Sequence, residues 1–237
     1  MKHKKSLWIV AGIVLLCLIG VLIWLLGFHL PKQREKEEQR QAVLAYRAAK
    51  TAAYIQENET YDDYEVDVAF LGDSLTDGYD VTHYYPQFLV VNRGIGGDTT
   101  FDLEDRLQIS VYDLKPKVAV LLIGGNNPET MFDNYERILQ GFQQNIPETK
   151  IVLVSEIAMS QEWGKKNHLA AFNNVKIKML ADKYGYAYVD LYTPLLNPDT
   201  NEMYDGYSVD GAHPTPAGYE IFTAHITPVL EDLLKKP

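Results

Sequence analysis

The sequence predicts an α/β protein, a three-layer α/β/α sandwich built on a parallel sheet, and three observations predict it. Short apolar runs at 66–71, 88–91, 118–123, 151–154 and 187–191 are rich in β-branched or aliphatic residues and bounded by turn residues. Runs that are apolar on both faces suit strands covered on both sides. Between them, 98–109, 131–145 and 165–184 carry helical patterns, and 216–234 closes the chain with another. Strand–helix alternation of this kind folds as right-handed crossovers onto one parallel sheet.

The elements ahead of the sheet have a different character. No charged residue occurs from Leu7 to Phe28, and 22 residues at about 1.5 Å each span about 33 Å, the hydrocarbon thickness of a bilayer. A cleaved signal peptide has a shorter apolar core and a small-residue cleavage site. Here the exit through Leu26, Gly27, Phe28, His29, Leu30 and Pro31 offers no such site, and Leu15 and Leu16 before Cys17 make a poor lipobox. An uncleaved signal anchor over 7–28 is expected. The basic flank 1–6 favours the cytoplasm, with the following domain outside the cell, although Lys32, Arg34, Lys36 and Arg40 dilute the positive-inside signal.

Residues 29–65 are expected to form a helical stalk and linker. The stretch 32–58 is polar, then alanine-rich, without Gly or Pro, and such composition favours helix. Val43, Tyr46, Ala49 and Ala53 would make a thin apolar stripe on it. The globular domain proper is expected at 66–237.

The chain has 237 residues and a formal charge of −10; Lys2, Lys4 and Lys5 contribute +3, so the remainder carries −13. An acidic domain without a basic stripe argues against nucleic acid as a partner. Cys17, the only cysteine, lies in the apolar segment, so the domain has no disulfide or thiolate metal site. His83, His168 and His225 lack partners at ligand spacing, so neither a metal nor another cofactor is expected.

Four segments carry chemistry, each in a loop between expected elements. Gly72-Asp-Ser74-Leu follows the first strand, placing Ser74 in the turn at its carboxyl end, where open α/β sheets bind ligands. Thr76 stands where a G-x-S-x-G elbow needs its second glycine, so the lipase elbow is absent. Asn92-Arg-Gly-Ile-Gly-Gly97-Asp-Thr-Thr follows the second strand. Its glycines allow close backbone approach, and Asp98 or Thr99 is suited to cap a helix. Thr99 breaks the G-x-G-x-x-G pattern, which disfavours a dinucleotide. A glycine N–H in this loop is suited to stabilise an oxyanion. Gly124-Gly-Asn126-Asn127 follows the third strand, and either asparagine amide could donate to the same oxyanion.

The fourth segment is Asp210-Gly-Ala-His213-Pro. A serine hydroxyl needs an imidazole to take its proton, and the imidazole needs a carboxylate to fix its tautomer. Ser74, His213 and Asp210 supply these three roles and imply a serine esterase. The aromatic stretch 79–86 admits two readings, a wall of the substrate pocket or a partly buried surface loop.

Taken in order, the four segments resemble the GDSL/SGNH hydrolase family over about residues 66–232. The resemblance implies a five-stranded parallel sheet of flavodoxin-like order. It implies Ser74 as nucleophile, His213 as base and Asp210 as its partner. The oxyanion hole it implies comprises the Ser74 and Gly97 N–H groups and the Asn126 side chain. Gly94-Ile-Gly-Gly-Asp-Thr-Thr, Leu114-Lys-Pro-Lys-Val, Gly-x-Asn-Asn and His213-Pro-Thr look more narrowly like intracellular platelet-activating-factor acetylhydrolase catalytic subunits. Gly125 stands where a threonine is common in those subunits. Membrane-anchored or secreted GDSL esterases of Gram-positive bacteria are a nearer analogue. The expected substrate is a carboxylic ester, with a short acyl or acetyl group or of lysophospholipid-like form. The alternatives are an O-acyltransferase or acetylesterase acting on cell-wall polysaccharide, and a catalytically silent glycan-binding or scaffold protein.

Overall fold

The computed structural model describes residues 2–235, with side chains for residue 12 and residues 14–235. The side chains of the basic flank lie outside the described residues. The chain divides into two compact units, Met1–Ala49 and Lys50–Pro237.

In the first unit, α1 (Lys2–Trp24) passes through a wide π-type turn at Leu25–His29 into α2 (Leu30–Asn58), whose last turns belong to the second unit. Among the described residues, one helix is long and apolar enough at its N-terminal end to cross a membrane. Its apolar side chains, Leu16, Leu18, Leu22 and Ile23 among them, are exposed. By length and composition it suits a membrane anchor or a signal sequence.

The second unit holds a five-stranded sheet of β1 (Val68–Gly72), β2 (Val90–Gly94), β3 (Val118–Leu122), β4 (Lys150–Val154) and β5 (Ala187–Val189). Every pairing is parallel and the order is β2-β1-β3-β4-β5, the flavodoxin-like order that was expected. Alternation along each apolar run divides its side chains between two cores. Val68, Phe70, Val120 and Val152 meet Phe222, Ile226 and Leu230 of α10 (Pro216–Lys235) on one face. Leu71, Ala119, Leu121 and Leu153 meet Ile138, Leu139 and Phe142 of α6 (Tyr135–Asn145) and Ile177 of α8 (Asn167–Tyr184) on the other. Burying one such aliphatic side chain contributes roughly 1.5–3 kcal/mol.

Short helices punctuate the loops: α3 (Ser74–Asp77), α4 (Val81–Tyr84), α5 (Thr100–Asp105), α7 (Gln161–Gly164) and α9 (Tyr192–Leu195). The expected helix over 98–109 is cut to α5, followed by a π-type turn at Gln108–Tyr112. The cause is Arg106, which turns inward to the carbonyls of Gly72 and Arg93. A small hairpin, β6 (Leu196–Asn197) with β7 (Glu202–Met203), has no counterpart in the hydropathy pattern.

On α2, Val43, Tyr46, Ala49 and Ala53 are exposed, while Tyr54 of the same helix is 4% exposed. One expectation about side-chain placement changes. Of the aromatic stretch 79–86, Tyr79 and Tyr85 are buried in the core; Tyr79 stacks on Tyr219 with centroids 4.7 Å apart and lies beside Phe70. These two tyrosines are core, not pocket wall.

Candidate active site

Ser74 opens α3 directly after β1, where Gly72 allows a turn that no side chain would permit. A Cβ at Gly72 would meet Thr76 Oγ1 at 2.2 Å and the Leu122 carbonyl at 2.3 Å. Asp73 caps the helix by accepting the Leu75 N–H at 3.0 Å. Asp210 and His213 lie in the loop ahead of α10, which is pinned where Ser208 bridges Pro214 and where Val209 N–H donates to the His213 carbonyl.

The three sequence-expected residues form one line. His213 Nε2 lies 2.9 Å from Ser74 Oγ, and His213 Nδ1 lies 2.7 Å from Asp210 Oδ2. The other Asp210 oxygen accepts the backbone N–H groups of His213 and Ala212, at 2.9 and 3.0 Å. Those bonds stabilise the charged carboxylate: the His213 N–H acts most strongly, with the imidazole and the Ala212 N–H adding to it, and they hold Asp210 down at about 2. An ionised Asp210 favours the tautomer with the proton on Nδ1, which leaves Nε2 as an acceptor facing Ser74 Oγ.

The loop after β2 runs beside this line. Gly97 has φ +81°, a backbone region that favours glycine. A Cβ at Gly96 would lie 3.9 Å from the Ser74 Cβ. Gly96 N–H donates to Asp77 Oδ2 at 2.9 Å. Thr99, not Asp98, caps α5, and its bonds with Asp102 close a capping box.

The two asparagines after β3 separate clearly. Asn127 is committed to α5: its Oδ1 accepts the Thr100 N–H and its amide donates to Thr100 Oγ1. Asn126 is exposed and donates one amide hydrogen to the Asp98 carbonyl at 2.9 Å. An amide carries two donor hydrogens, so Asn126 keeps one for a ligand.

Residues that sequence reasoning missed hold these loops. Buried Arg106 pairs with buried Asp98 at 2.7 Å and donates to the Gly72 and Arg93 carbonyls and to Ser110 Oγ. It thereby joins the ends of β1 and β2 to the glycine loop. The only signal was an arginine eight residues after an aspartate, in a stretch whose helical pattern says nothing of which way it turns. Buried Asn167 holds Met159 through both its N–H and carbonyl, and Ser160 N–H donates to the Gly211 carbonyl at 2.8 Å. Behind Ser74, Asp73 is 3% exposed. Burial, reinforced by the charges of Asp98 and Glu156, pushes its carboxyl up to about 7.

Among the described residues, no cluster of His, Cys, Asp or Glu forms a metal site. The family model of the GDSL-like lipase/acylhydrolase family matches residues 70–221, which include all three residues of the line. The chain belongs to that family. It is a serine hydrolase of the carboxylic ester type. The fold is also that of several solved structures. A Streptococcus pneumoniae protein named for platelet activating factor aligns with TM-score 0.75 at 22% identity, over 84% of this chain and 99% of its own. A GDSL-like lipase of Bacteroides thetaiotaomicron aligns with TM-score 0.68 at 24% identity, over 77% and 97%. An acetyl xylan esterase of Geobacillus stearothermophilus aligns with TM-score 0.58 at 21% identity, over 71% and 95%. None of the curated proteins compared matches this chain.

Proposed function

We propose that this GDSL hydrolase cleaves short-acyl carboxylic esters through a Ser74–His213–Asp210 triad and an acyl-enzyme. The single observation that carries the reading is the unbroken line from Ser74 Oγ to His213 at 2.9 Å and on to Asp210 at 2.7 Å. Ser74 Oγ attacks the ester carbonyl carbon while its proton passes to His213 Nε2. The tetrahedral oxyanion is held by the N–H groups of Ser74 and Gly97 and the free amide hydrogen of Asn126. Collapse breaks the bond to the alkoxide, which leaves with the proton from His213. Water then gives a proton to the same nitrogen, attacks the acyl carbon, and releases the acid as Ser74 recovers its hydrogen. No cofactor enters these steps.

A second reading, an acetyl ester carried on a cell-wall polysaccharide, has support of its own. The side chains of His213 and Asp210 are 42% and 48% exposed. A site this open admits an ester borne on a bulky polymer, and one structural neighbour is an acetyl xylan esterase. Transfer of the acyl group to a sugar hydroxyl instead of water would use the same triad. The apolar N-terminal helix is proposed as a single-pass anchor that keeps the enzyme on the outer face of the membrane.

The test uses the full chain in detergent micelles, with p-nitrophenyl esters of increasing acyl length and then acetylated xylan and lysophospholipid. Ser74→Ala is expected to abolish turnover and labelling by a fluorophosphonate probe. Turnover that survives in Ser74→Ala would overturn the triad, and failure of the probe to label the wild type, with no ester turned over, would favour a silent binder.

A further inference from the structure

The last turns of α2 reach the catalytic unit by a polar face. Tyr54 is buried, and its hydroxyl donates to the Gly94 carbonyl at 2.7 Å. One turn earlier, Lys50 Nζ pairs with Asp77 Oδ1 at 2.7 Å, with both side chains largely covered at 28% and 14% exposure. The second oxygen of the same Asp77 accepts the Gly96 N–H at 2.9 Å. Asp77 ends the short helix that Ser74 begins. Gly94 presses on that helix so closely that a Cβ there would meet the Asp77 nitrogen at 2.3 Å.

The segment thus held has glycine at 94, 96 and 97. Glycine has the widest backbone freedom, so such a loop has little stiffness of its own and its shape must be imposed from outside. Oxyanion stabilisation depends on donors that are already in place when charge develops. A donor on Gly97 is only as well placed as the Gly96–Gly97 peptide before it.

We propose that Lys50, acting through Asp77, is a positioning residue for the oxyanion loop, so that the juxtamembrane helix completes the active site. The proposal rests on the oxyanion role proposed for Gly97. Lys50 keeps the Asp77 carboxylate in one orientation, with one oxygen on the ammonium and the other on the Gly96 N–H. Without the ammonium that carboxylate loses an anchor, and the clamp on the glycine loop loosens. Tyr54 holds the same loop from two residues upstream.

The test compares Lys50→Met and Lys50→Arg in the full chain in detergent, with p-nitrophenyl acetate, thermal unfolding and Ser74→Ala assayed in parallel. Lys50→Met should lower kcat by about tenfold or more with KM changed by less than about twofold, because a preorganised donor acts in the transition state. Lys50→Arg should restore most of kcat. Asn58→Ala, which removes the bond to the Ile109 carbonyl and the one accepted from Arg93, should lower the unfolding temperature and leave kcat near wild type. Unchanged kcat in Lys50→Met overturns the proposal. So does a kcat loss in Asn58→Ala equal to that of Lys50→Met, which would mean stability alone is being read. If Lys50→Met does not fold, Asp77→Asn removes the charge from the other side and is judged by the same criteria. Activity that survives in Ser74→Ala overturns the triad itself; a dead Ser74→Ala beside a fully active Lys50→Met overturns only the role of Lys50.

Discussion

The Ser160 N–H donates to the Gly211 carbonyl at 2.8 Å, and this bond ties the loop after β4 to the loop that carries His213. Gly211 has φ +93°, and a Cβ there would meet the Ser160 carbonyl oxygen at 2.4 Å. The two backbones approach closely only because position 211 has no side chain. Gly211→Ala should therefore push the loops apart and lose activity together with stability. Backbone strain alone would cost about 1–3 kcal/mol. Thermal unfolding and p-nitrophenyl acetate turnover check this, and a fully active Gly211→Ala would contradict it.

The neighbouring asparagines should respond differently to the same substitution. Asn126→Ala removes an exposed donor and should lower kcat by about 10²–10³-fold with little change in unfolding temperature. Asn127→Ala strips the Thr100 N–H of its partner, so it should cost about 1 kcal/mol of stability, read by chemical denaturation. Equal kcat losses in both would break the distinction.

Asp73 gives a pH signature. Its folded-state carboxyl lies near 7 against 3.8 for the free group, so folding favours the protonated form. The stability this contributes is complete below about pH 4 and is lost as pH rises through about 7. Asp73→Asn keeps an oxygen for the Leu75 N–H and carries no charge. Its unfolding temperature should gain on the wild type as pH rises from 4 to 8, and a difference that stays flat across that range would refute the expectation.

Removing Arg106 should be the most damaging single change in the loop scaffold. Asp98, fully buried, would lose the arginine that pairs with it. Breaking a buried pair from one side costs about 3–5 kcal/mol, a large share of a typical domain's stability. Arg106→Leu should lose that amount in urea unfolding, whereas Asp98→Asn with Arg106→Leu should recover part of it.

The fold was legible because its signals are local and apolar. Runs such as 118–123 could only be covered strands, and the glycine-rich and Asp-x-x-His loops stood at their ends. Hydropathy is silent on polar scaffolding. Nothing in the pattern around Arg106 tells an inward arginine from a solvated one, and the aromatic stretch 79–86 fitted neither a pocket wall nor a surface loop at Tyr79, which stacks on Tyr219. The reading of α2 turned on the same blindness. Its apolar stripe through Val43 and Ala53 is exposed, while its contacts with the catalytic unit run through Lys50, Tyr54, Glu57 and Asn58.

If the N-terminal helix is the anchor proposed above, Arg93 decides where a protease could release the enzyme. It is fully buried, and its guanidinium is answered by Glu57 and Asn58 and lies over the Tyr54 ring. A cut ahead of Lys50 would part the apolar helix from the catalytic unit with Tyr54, Glu57 and Asn58 still attached. A cut a few residues later, in the acidic stretch 59–65, would leave those partners behind and strand the guanidinium inside the fold. The position of one nick along a single helix therefore separates release from inactivation.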